Sequence, residues 1–255
     1  MKKAKLKYKK FLTYEKLEGA KTKSTVVYIH GFGADMYGNK ATQIQKFCKK
    51  KKISFLRFNL LGHGDSYGKL EDFGISDWID NTLYMIDNFT KGNLILVGSS
   101  MGGWMMMIAA ILRKGRVKGL VGIAPAPDFT DWFGELIEKN QQINVRKDLE
   151  EKGFFLQPRE EEGEYFKITQ EFIDDANKNL ILKNEEVFVD CPIRIIQGML
   201  DTSVPYVLSL EIANKVTSQD VRISMIKDGD HRLSRDCDIP IILCNIEELV
   251  HITKN

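Results

Sequence analysis

Cysteine and histidine are both scarce in this chain of 255 residues, with four of each. The cysteines, Cys48, Cys191, Cys237 and Cys244, include no Cys-x-x-Cys pair, which predicts reduced thiols and argues against a disulfide framework or a structural zinc site. The histidines show no His-Glu-x-x-His spacing, so they give no sign of a catalytic zinc site. We therefore expect no metal and no other cofactor.

Long apolar runs and an excess of either charge are also missing. No stretch approaches the ~18 apolar residues that a membrane-spanning helix needs, so we expect no stable membrane insertion. The lysine-rich start, Met1 to Lys10, lacks the apolar core of a secretory signal and the arginine and serine of a transit peptide. The formal net charge is only +2, which does not favour nucleic acid as a partner. These absences predict a cytoplasmic protein. The sequence does not indicate its oligomeric state.

One stretch that is present combines a short apolar run with a turn of small residues. Leu94 to Val97 leads into Gly98-Ser99-Ser100-Met101-Gly102, and a second apolar segment continues to Leu112. This pattern predicts a buried strand, a tight turn and a helix. The turn fits Gly-x-Ser-x-Gly, in which a strained backbone lifts a serine above the end of a parallel sheet. Ser100 is therefore the candidate nucleophile, and a plain strand-to-helix turn is the alternative.

Strand and helix patterns alternate along most of the chain. Such alternation predicts an α/β fold with a mostly parallel central sheet flanked by helices. From Lys5 to Lys16, apolar residues alternate with lysines and other polar residues, as in protected edge strands. The other predicted strands are Thr25 to His30, Ile53 to Leu60, Leu94 to Val97, Val117 to Ile123, Cys191 to Gly198 and Val221 to Ile226.

A charged segment rich in aromatic residues interrupts this alternation after Asp128. We predict that residues 129–187 form a helical cap inserted into a core of residues 1–128 and 188–255, because insertions between sheet strands commonly carry lids. Trp132 and Phe133 of this segment, with Trp104, are candidates for an apolar substrate pocket. The alternative is a pair of surface helices whose aromatic residues pack on the core.

Polar residues follow several predicted strands at the edge where α/β enzymes place their catalytic groups. Among the histidines, His30 and His63 precede Ser100 and His251 lies in the closing helix, which leaves His231 as the candidate base. We interpret His30 as a hydrogen-bonded histidine at a strand end and His63 as a residue that shapes its loop.

The acid that would orient His231 has two candidates. Asp201 follows the strand that ends at Gly198, and Asp128 follows an earlier strand, while Asp228 and Asp230 are too near His231 in sequence to orient it easily. We prefer Asp201, which gives with Ser100 and His231 the order serine, aspartate, histidine expected of this fold; Asp128 stays the alternative. In such a triad the histidine activates the serine and the carboxylate fixes the imidazole tautomer. The backbone N–H groups of Phe32 and Met101 are the candidate oxyanion-hole donors.

These motifs resemble those of the α/β-hydrolase superfamily over essentially the whole chain. The stretches Gly98 to Trp104, Cys191 to Arg194 with Gly198-Met199, and Gly229 to Arg232 are similar to the animal mitochondrial α/β-hydrolases that act as palmitoyl-protein thioesterases and acyl-glucuronide esterases. The resemblance implies the α/β-hydrolase fold and places the catalytic residues of that family at Ser100, Asp201 and His231.

The sequence therefore predicts a serine hydrolase that cleaves esters or thioesters with apolar acyl groups through a covalent acyl-enzyme. The expected partner is a small-molecule or acylated substrate. Two alternatives stay open: a monoacylglycerol lipase-like or peptidase activity with the same triad, and a ligand-binding member of the fold that does not turn over.

Overall fold

The computed structural model of the chain describes residues 1–20, 24–141, 144–158 and 164–253, apart from the side chains at 133, 140 and 141. The strands in these ranges are β1 (Lys2–Lys5), β2 (Phe11–Leu17), β3 (Ser24–Ile29), β4 (Ser54–Phe58), β5 (Asn93–Ser99), β6 (Val117–Ile123), β7 (Phe154–Pro158), β8 (Tyr165–Thr169), β9 (Ile193–Gly198) and β10 (Val221–Ile226). The α-helices are α1 (Asn39–Lys51), α2 (Ile75–Phe89), α3 (Met101–Leu112), α4 (Phe129–Gln141), α5 (Val145–Lys152), α6 (Gln170–Asn177), α7 (Val207–Lys215) and α8 (Asp238–Ile252).

Eight of these strands form one central sheet in the order β1-β2-β4-β3-β5-β6-β9-β10. Strand β2 is antiparallel to both β1 and β4, and the remaining pairs are parallel. The predicted α/β class with a mostly parallel sheet is confirmed. Because β3, β5, β6, β9 and β10 run in the same direction, their carboxyl ends meet at one edge of the sheet, where the loops after them can share a site.

The apolar strands are buried because helices cover both faces of the sheet. Along β3, Val26 and Tyr28 belong to a buried cluster that also contains residues of α1 and α8. Val27 and Ile29, which point the other way, belong to a larger cluster with residues of α2, α3 and the segment after β6. Alternate residues of one strand therefore pack into two separate layers, which explains why β3 is apolar on both faces from Val26 to Ile29.

The segment between β6 and β9 contains helices α4, α5 and α6 and, in addition, a separate hairpin of the antiparallel strands β7 and β8. The sequence predicts that this segment is helical but does not predict the hairpin. Phe155 and Phe172 from the segment are buried in the same cluster as β3 and α3. The segment is therefore packed on the central sheet by its aromatic residues, and its role as a cap stays a prediction.

The side chains of all four cysteines are free thiols. Burial raises the pKa of Cys48 and of Cys191 to about 12, which makes these two thiols unreactive at neutral pH. Among the helices that the structure describes, none combines the length and the apolar character needed to cross a bilayer.

Candidate active site

Ser100 lies in a sharp turn between β5 and α3, with φ of 53° and ψ of −123°. A positive φ is unfavourable for a residue with a side chain, so the surrounding structure must hold this turn in place. A Cβ on Gly98 would collide with the backbone of Gly102, and one on Gly102 would collide with the backbone of Ile29. The two glycines therefore allow the strand and the helix to approach closely enough to force the turn.

The structure brings Ser100 together with the two other predicted triad residues. The Oγ of Ser100 lies 3.2 Å from Nε2 of His231, in the loop after β10. The Nδ1 of His231 lies 2.8 Å from Oδ2 of Asp201, in the loop after β9. The Asp201 side chain is fully buried and that of His231 is 28% exposed. The three side chains thus form one hydrogen-bonded chain at the carboxyl edge of the sheet.

The carboxylate of Asp201 is held by several donors besides His231. Its Oδ1 accepts the backbone N–H groups of Ser203 and Val204, each at 2.8 Å. Its Oδ2 also accepts from Nε2 of Gln197 at 3.1 Å. These donors hold the carboxylate against Nδ1 of His231, which places the imidazole proton on Nδ1 and leaves Nε2 free to accept the proton of the Ser100 hydroxyl. The arrangement can therefore turn this serine into a nucleophile.

Asp128, the alternative acid, has different partners. Its carboxylate accepts the backbone N–H of Ile181 at 2.9 Å and that of Leu182 at 2.6 Å. Burial raises the pKa of Asp128 to about 6. Asp128 therefore ties the loop after β6 to the chain that follows α6, and the structure assigns the position beside His231 to Asp201.

The loop after β3 passes directly over Ser100. A Cβ on Gly31 would stand 3.1 Å from Cβ of Ser100, so this position allows close approach of the two backbones. Phe32, the next residue, and Met101 line one cavity with Ser100 and His231. Met101 is the first residue of α3, and an N–H at that position has no acceptor within its own helix.

Two cavities meet at Ser100 and His231. The smaller has a volume of about 160 Å³ and a largely apolar wall formed by Phe32, Met101, Ala126, Phe129, Trp132, Phe166 and Val204, with Gln157 and Ser203. The larger has a volume of about 700 Å³ and includes the charged residues Asp35, Lys40 and Arg232. A substrate bound at Ser100 can thus place an apolar group on one side and a polar group on the other.

Of the three residues predicted to line the pocket, the structure places one in the cavity wall and one behind it. Trp132 lines the smaller cavity. Trp104 does not line it; this side chain is fully buried, packs its ring against Phe129 and donates from Nε1 to the carbonyl oxygen of Asn179 at 3.1 Å. The prediction that Trp104 lines the pocket is therefore wrong. Helix α3 is buried on all sides, and Trp104 faces the packed interior behind the cavity wall. Phe133 lies outside the residues whose side chains are described.

Several residues of the site were not singled out from the sequence. Gln157 lines the smaller cavity and comes from the unpredicted hairpin β7–β8. The same hairpin carries Phe166, one of the aromatic residues of the predicted cap, which lines both cavities. Gln197 orients Asp201, and its only sequence signal is a polar residue near the end of an apolar strand. Within the described ranges there is no group of three or more His, Cys, Asp or Glu side chains that could hold a metal ion.

Comparison with known proteins identifies the family. A model of the alpha/beta hydrolase fold matches residues 24–160. The chain therefore belongs to the α/β-hydrolase family, and it is a hydrolase. It is 36% identical over 242 residues to the mitochondrial palmitoyl-protein thioesterase ABHD10 of Mus musculus, which covers 94% of this chain and 78% of that protein. The human protein of the same name is also 36% identical, over 94% of this chain and 76% of its own length.

Solved structures agree with this assignment. Alpha/beta hydrolase domain-containing protein 10 from mouse superposes with a TM-score of 0.86 and 34% sequence identity, covering 98% of each chain. The predicted resemblance to this group of hydrolases is therefore confirmed. Est1E from Butyrivibrio proteoclasticus has a TM-score of 0.74 at 19% identity, over 96% of this chain and 95% of its own, which shows a shared fold alone. The ABHD10 relatives are named as mitochondrial, and a cytoplasmic location for this chain stays a prediction.

Proposed function

We propose that this chain is a serine hydrolase that cleaves carboxylic esters or thioesters with apolar acyl groups through a covalent acyl-enzyme. The observation that carries the proposal is the hydrogen-bonded chain from Ser100 through His231 to Asp201, with distances of 3.2 Å and 2.8 Å. The relatives named as palmitoyl-protein thioesterases favour an acyl thioester as the substrate.

In the first half of the reaction, His231 takes the hydroxyl proton as Oγ of Ser100 attacks the acyl carbon. The negative charge that develops on the carbonyl oxygen lies against the N–H groups of Phe32 and Met101, each worth about 3 kcal/mol of transition-state stabilisation. Asp201 stabilises the imidazolium of His231 but does not take its proton. The imidazolium then protonates the departing oxygen or sulfur, and the acyl group remains on Ser100.

In the second half, water replaces the leaving group. His231, neutral again, takes a proton from this water as it attacks the acyl-enzyme, and the same two N–H groups stabilise the second oxyanion. The imidazolium then returns its proton to Oγ of Ser100 as the carboxylic acid departs. No step of this cycle needs a cofactor.

The smaller cavity, with its apolar wall, is the proposed acyl site. Its volume of about 160 Å³ is below the ~300–1,000 Å³ that encloses a drug-sized ligand. We therefore propose that it encloses a short acyl group, and that a long chain requires the segment of residues 129–187 to move. This segment supplies Trp132, Gln157 and Phe166 to the wall, which supports its role as a cap.

The test is the hydrolysis of a matched series of p-nitrophenyl esters and acyl thioesters, from acetyl to palmitoyl. We expect wild type to prefer the shorter acyl groups and Ser100→Ala to lose turnover. Ser99→Ala is the matched control, because it removes the neighbouring hydroxyl and should keep turnover. Activity that rises steadily with chain length would contradict the enclosed acyl site.

A second measurement separates catalysis from binding. A fluorophosphonate probe should label wild type and Ser99→Ala covalently and leave Ser100→Ala unlabelled. Equal hydrolysis by wild type and Ser100→Ala would refute the nucleophile. Absence of both labelling and hydrolysis in wild type would favour the ligand-binding alternative.

A further inference from the structure

Two buried histidines lie beside the predicted oxyanion-hole loop and take no part in the proton transfers above. His30 is fully buried at the end of β3, and His63, in the loop after β4, is 3% exposed. Their ring centroids are 4.8 Å apart. A buried imidazole must satisfy both of its nitrogens, so the partners of each ring define its role.

The hydrogen bonds of the two histidines identify their tautomers. The backbone N–H of Leu60 donates to Nε2 of His30 at 3.1 Å, so the His30 proton is on Nδ1, which donates to the carbonyl oxygen of Gly31 at 2.8 Å. The backbone N–H of Gly33 donates to Nε2 of His63 at 3.2 Å, and Nδ1 of His63 donates to the carbonyl oxygen of Leu61 at 3.0 Å.

Burial keeps both imidazoles neutral. It lowers the pKa of His30 to about 4 and that of His63 to about 3, where the neighbouring His30 adds to the effect. A protonated ring would have no lone pair for the N–H of Leu60 or of Gly33. At neutral pH each histidine can therefore donate from Nδ1 and accept at Nε2.

The contacts with Gly31 and Gly33 act on the two peptide groups that flank Phe32. In a trans peptide group, the C=O and the N–H lie in one plane and point to opposite sides. The carbonyl of Gly31 shares its plane with the N–H of Phe32, so the bond from His30 turns that N–H away from the His30 ring. The N–H of Gly33 shares its plane with the carbonyl of Phe32, and His63 fixes this second plane.

We propose that His30 and His63 are paired positioning residues that fix the peptide planes on both sides of Phe32 and so aim its N–H at the oxyanion. This proposal rests on the proposed function, because it assigns a task to the oxyanion hole of that reaction. Donors stabilise an oxyanion only when they are oriented before charge develops. The loss of one such donor lowers kcat by about 10²–10³-fold in other serine hydrolases.

Side-chain amides offer a sharp test, because asparagine places a polar atom near the Nδ1 position of histidine and glutamine places one near Nε2. At position 30 the bond to Gly31 comes from Nδ1, whereas at position 63 the bond to Gly33 goes to Nε2. His30→Asn should therefore keep the hydrogen bond to the carbonyl oxygen of Gly31, and His30→Gln should lose it. His63→Gln should keep the hydrogen bond from the N–H of Gly33, and His63→Asn should lose it. The amide that preserves function is thus opposite at the two positions.

We expect His30→Gln and His63→Asn to lose about 10²-fold in kcat for p-nitrophenyl acetate, with KM little changed. His30→Asn and His63→Gln should stay much closer to wild type. Affinity for phenylboronic acid, which forms a tetrahedral adduct with the serine, should fall in parallel with kcat. If the two histidines had a purely structural role, the activity of each variant would follow its melting temperature. Asparagine would then not be the better substitute at position 30 while glutamine is the better one at position 63. That result would overturn the proposal.

Wild type provides a measurement that does not depend on how the variants fold. The imidazole ¹⁵N chemical shifts of His30 and His63 should report neutral Nδ1–H tautomers at neutral pH, in free protein and in the boronate adduct. A protonated ring or an Nε2–H tautomer at either position would overturn the proposal. If wild type shows no Ser100-dependent turnover, the proposed function fails as well; if wild type turns over but the opposite amide preference at the two positions is absent, the positioning role alone fails.

Discussion

Two aspartates are candidates for the acid of the proposed triad, and their hydrogen-bond partners distinguish them. Asp201 accepts from His231, Gln197 and two backbone N–H groups, all within the site. Asp128 accepts only backbone N–H groups of Ile181 and Leu182 among the hydrogen bonds described for its carboxylate. A carboxylate orients an imidazole only by direct contact, so the two positions should respond differently to the same substitution.

Asp201→Asn is expected to lower kcat about 10⁴-fold, because an amide at this position favours the wrong imidazole tautomer and does not stabilise the imidazolium. Asp128→Asn is the matched control and should retain most of the turnover. The measurement is kcat for p-nitrophenyl acetate, with thermal unfolding as a check on folding. A larger loss in Asp128→Asn than in Asp201→Asn would reverse the assignment of the acid.

Asp128 should also make stability depend on pH. Burial raises its pKa from 3.8 to about 6, so the folded protein binds this proton more tightly than the unfolded chain does. The contribution of Asp128 to the free energy of unfolding is therefore greatest below its unfolded pKa of 3.8 and falls as pH rises to its folded pKa of about 6. We expect urea unfolding to show that wild type loses stability relative to Asp128→Asn across this pH range. A difference that is constant or increases with pH would contradict the prediction.

At the scale of elements, the turn between β5 and α3 is the most constrained part of the site. Its strained serine is held between a strand and a helix that pack without intervening side chains at Gly98 and Gly102. The stability of this unit and the position of Ser100 should therefore change together.

Gly98→Ala is expected to lower the free energy of unfolding by about 2 kcal/mol, because the new methyl group meets backbone that cannot move aside cheaply. It should also reduce kcat by displacing Ser100. Gly115→Ala is the control, since a Cβ there meets nothing within 4 Å and should change stability by less than about 0.5 kcal/mol. Urea unfolding and kcat measure the two effects, and equal behaviour of the two variants would contradict the steric argument.

At the scale of the whole molecule, Arg194 joins the last two strands of the sheet to the closing helix. This side chain on β9 is 1% exposed and binds Asp220, just before β10, and Glu248 on α8, both at 2.9 Å. Hydrogen bonds from Arg194 lower the pKa of Asp220 and of Glu248. Arg194 therefore ties β9 and the start of β10, the two strands that precede the loops of Asp201 and His231, to the closing helix by two ion pairs.

Arg194→Met is expected to lower the free energy of unfolding by about 2 kcal/mol, because it removes the charge-assisted hydrogen bonds that the buried guanidinium donates to two partly exposed carboxylates. Arg222→Met is the matched control: its side chain also binds Glu248 at 2.8 Å but is 63% exposed, so its loss should cost less than about 1 kcal/mol. Urea unfolding measures both.

The pH dependence provides a further check. The pKa values of both carboxylates are lowered in the folded protein, so the stability that Arg194 confers is present above their ordinary pKa values and is lost as pH falls. The difference between wild type and Arg194→Met should therefore shrink in acid. A difference independent of pH would show that Arg194 acts by packing alone.

Local sequence patterns predict most of the central sheet, but they do not predict the hairpin β7–β8 or the position of Trp104. The apolar strands were predictable because a parallel strand buried on both faces needs apolar residues at nearly every position. The hairpin β7–β8 was not, because a two-stranded hairpin has little intrinsic stability and forms here where Phe155 and Ile168 pack into the larger core. Trp104 was placed wrongly because α3 is apolar all round, so its sequence does not indicate which side faces the cavity.

Local sequence patterns were enough to predict the strained serine turn and the alternation of strands and helices, because these depend on backbone sterics and on periodicity within short segments. The chain order of Ser100, Asp201 and His231 can be read directly from the sequence. The sequence only favoured Asp201 over Asp128, and the tertiary structure shows that Asp201 contacts His231. The tertiary structure was also needed to show that His30 and His63 flank the loop of Phe32 and that a hairpin completes the cavity wall. The physical reason is that each of these contacts joins residues distant in the chain. Their distances are fixed only once the sheet has formed and brought its strand ends together.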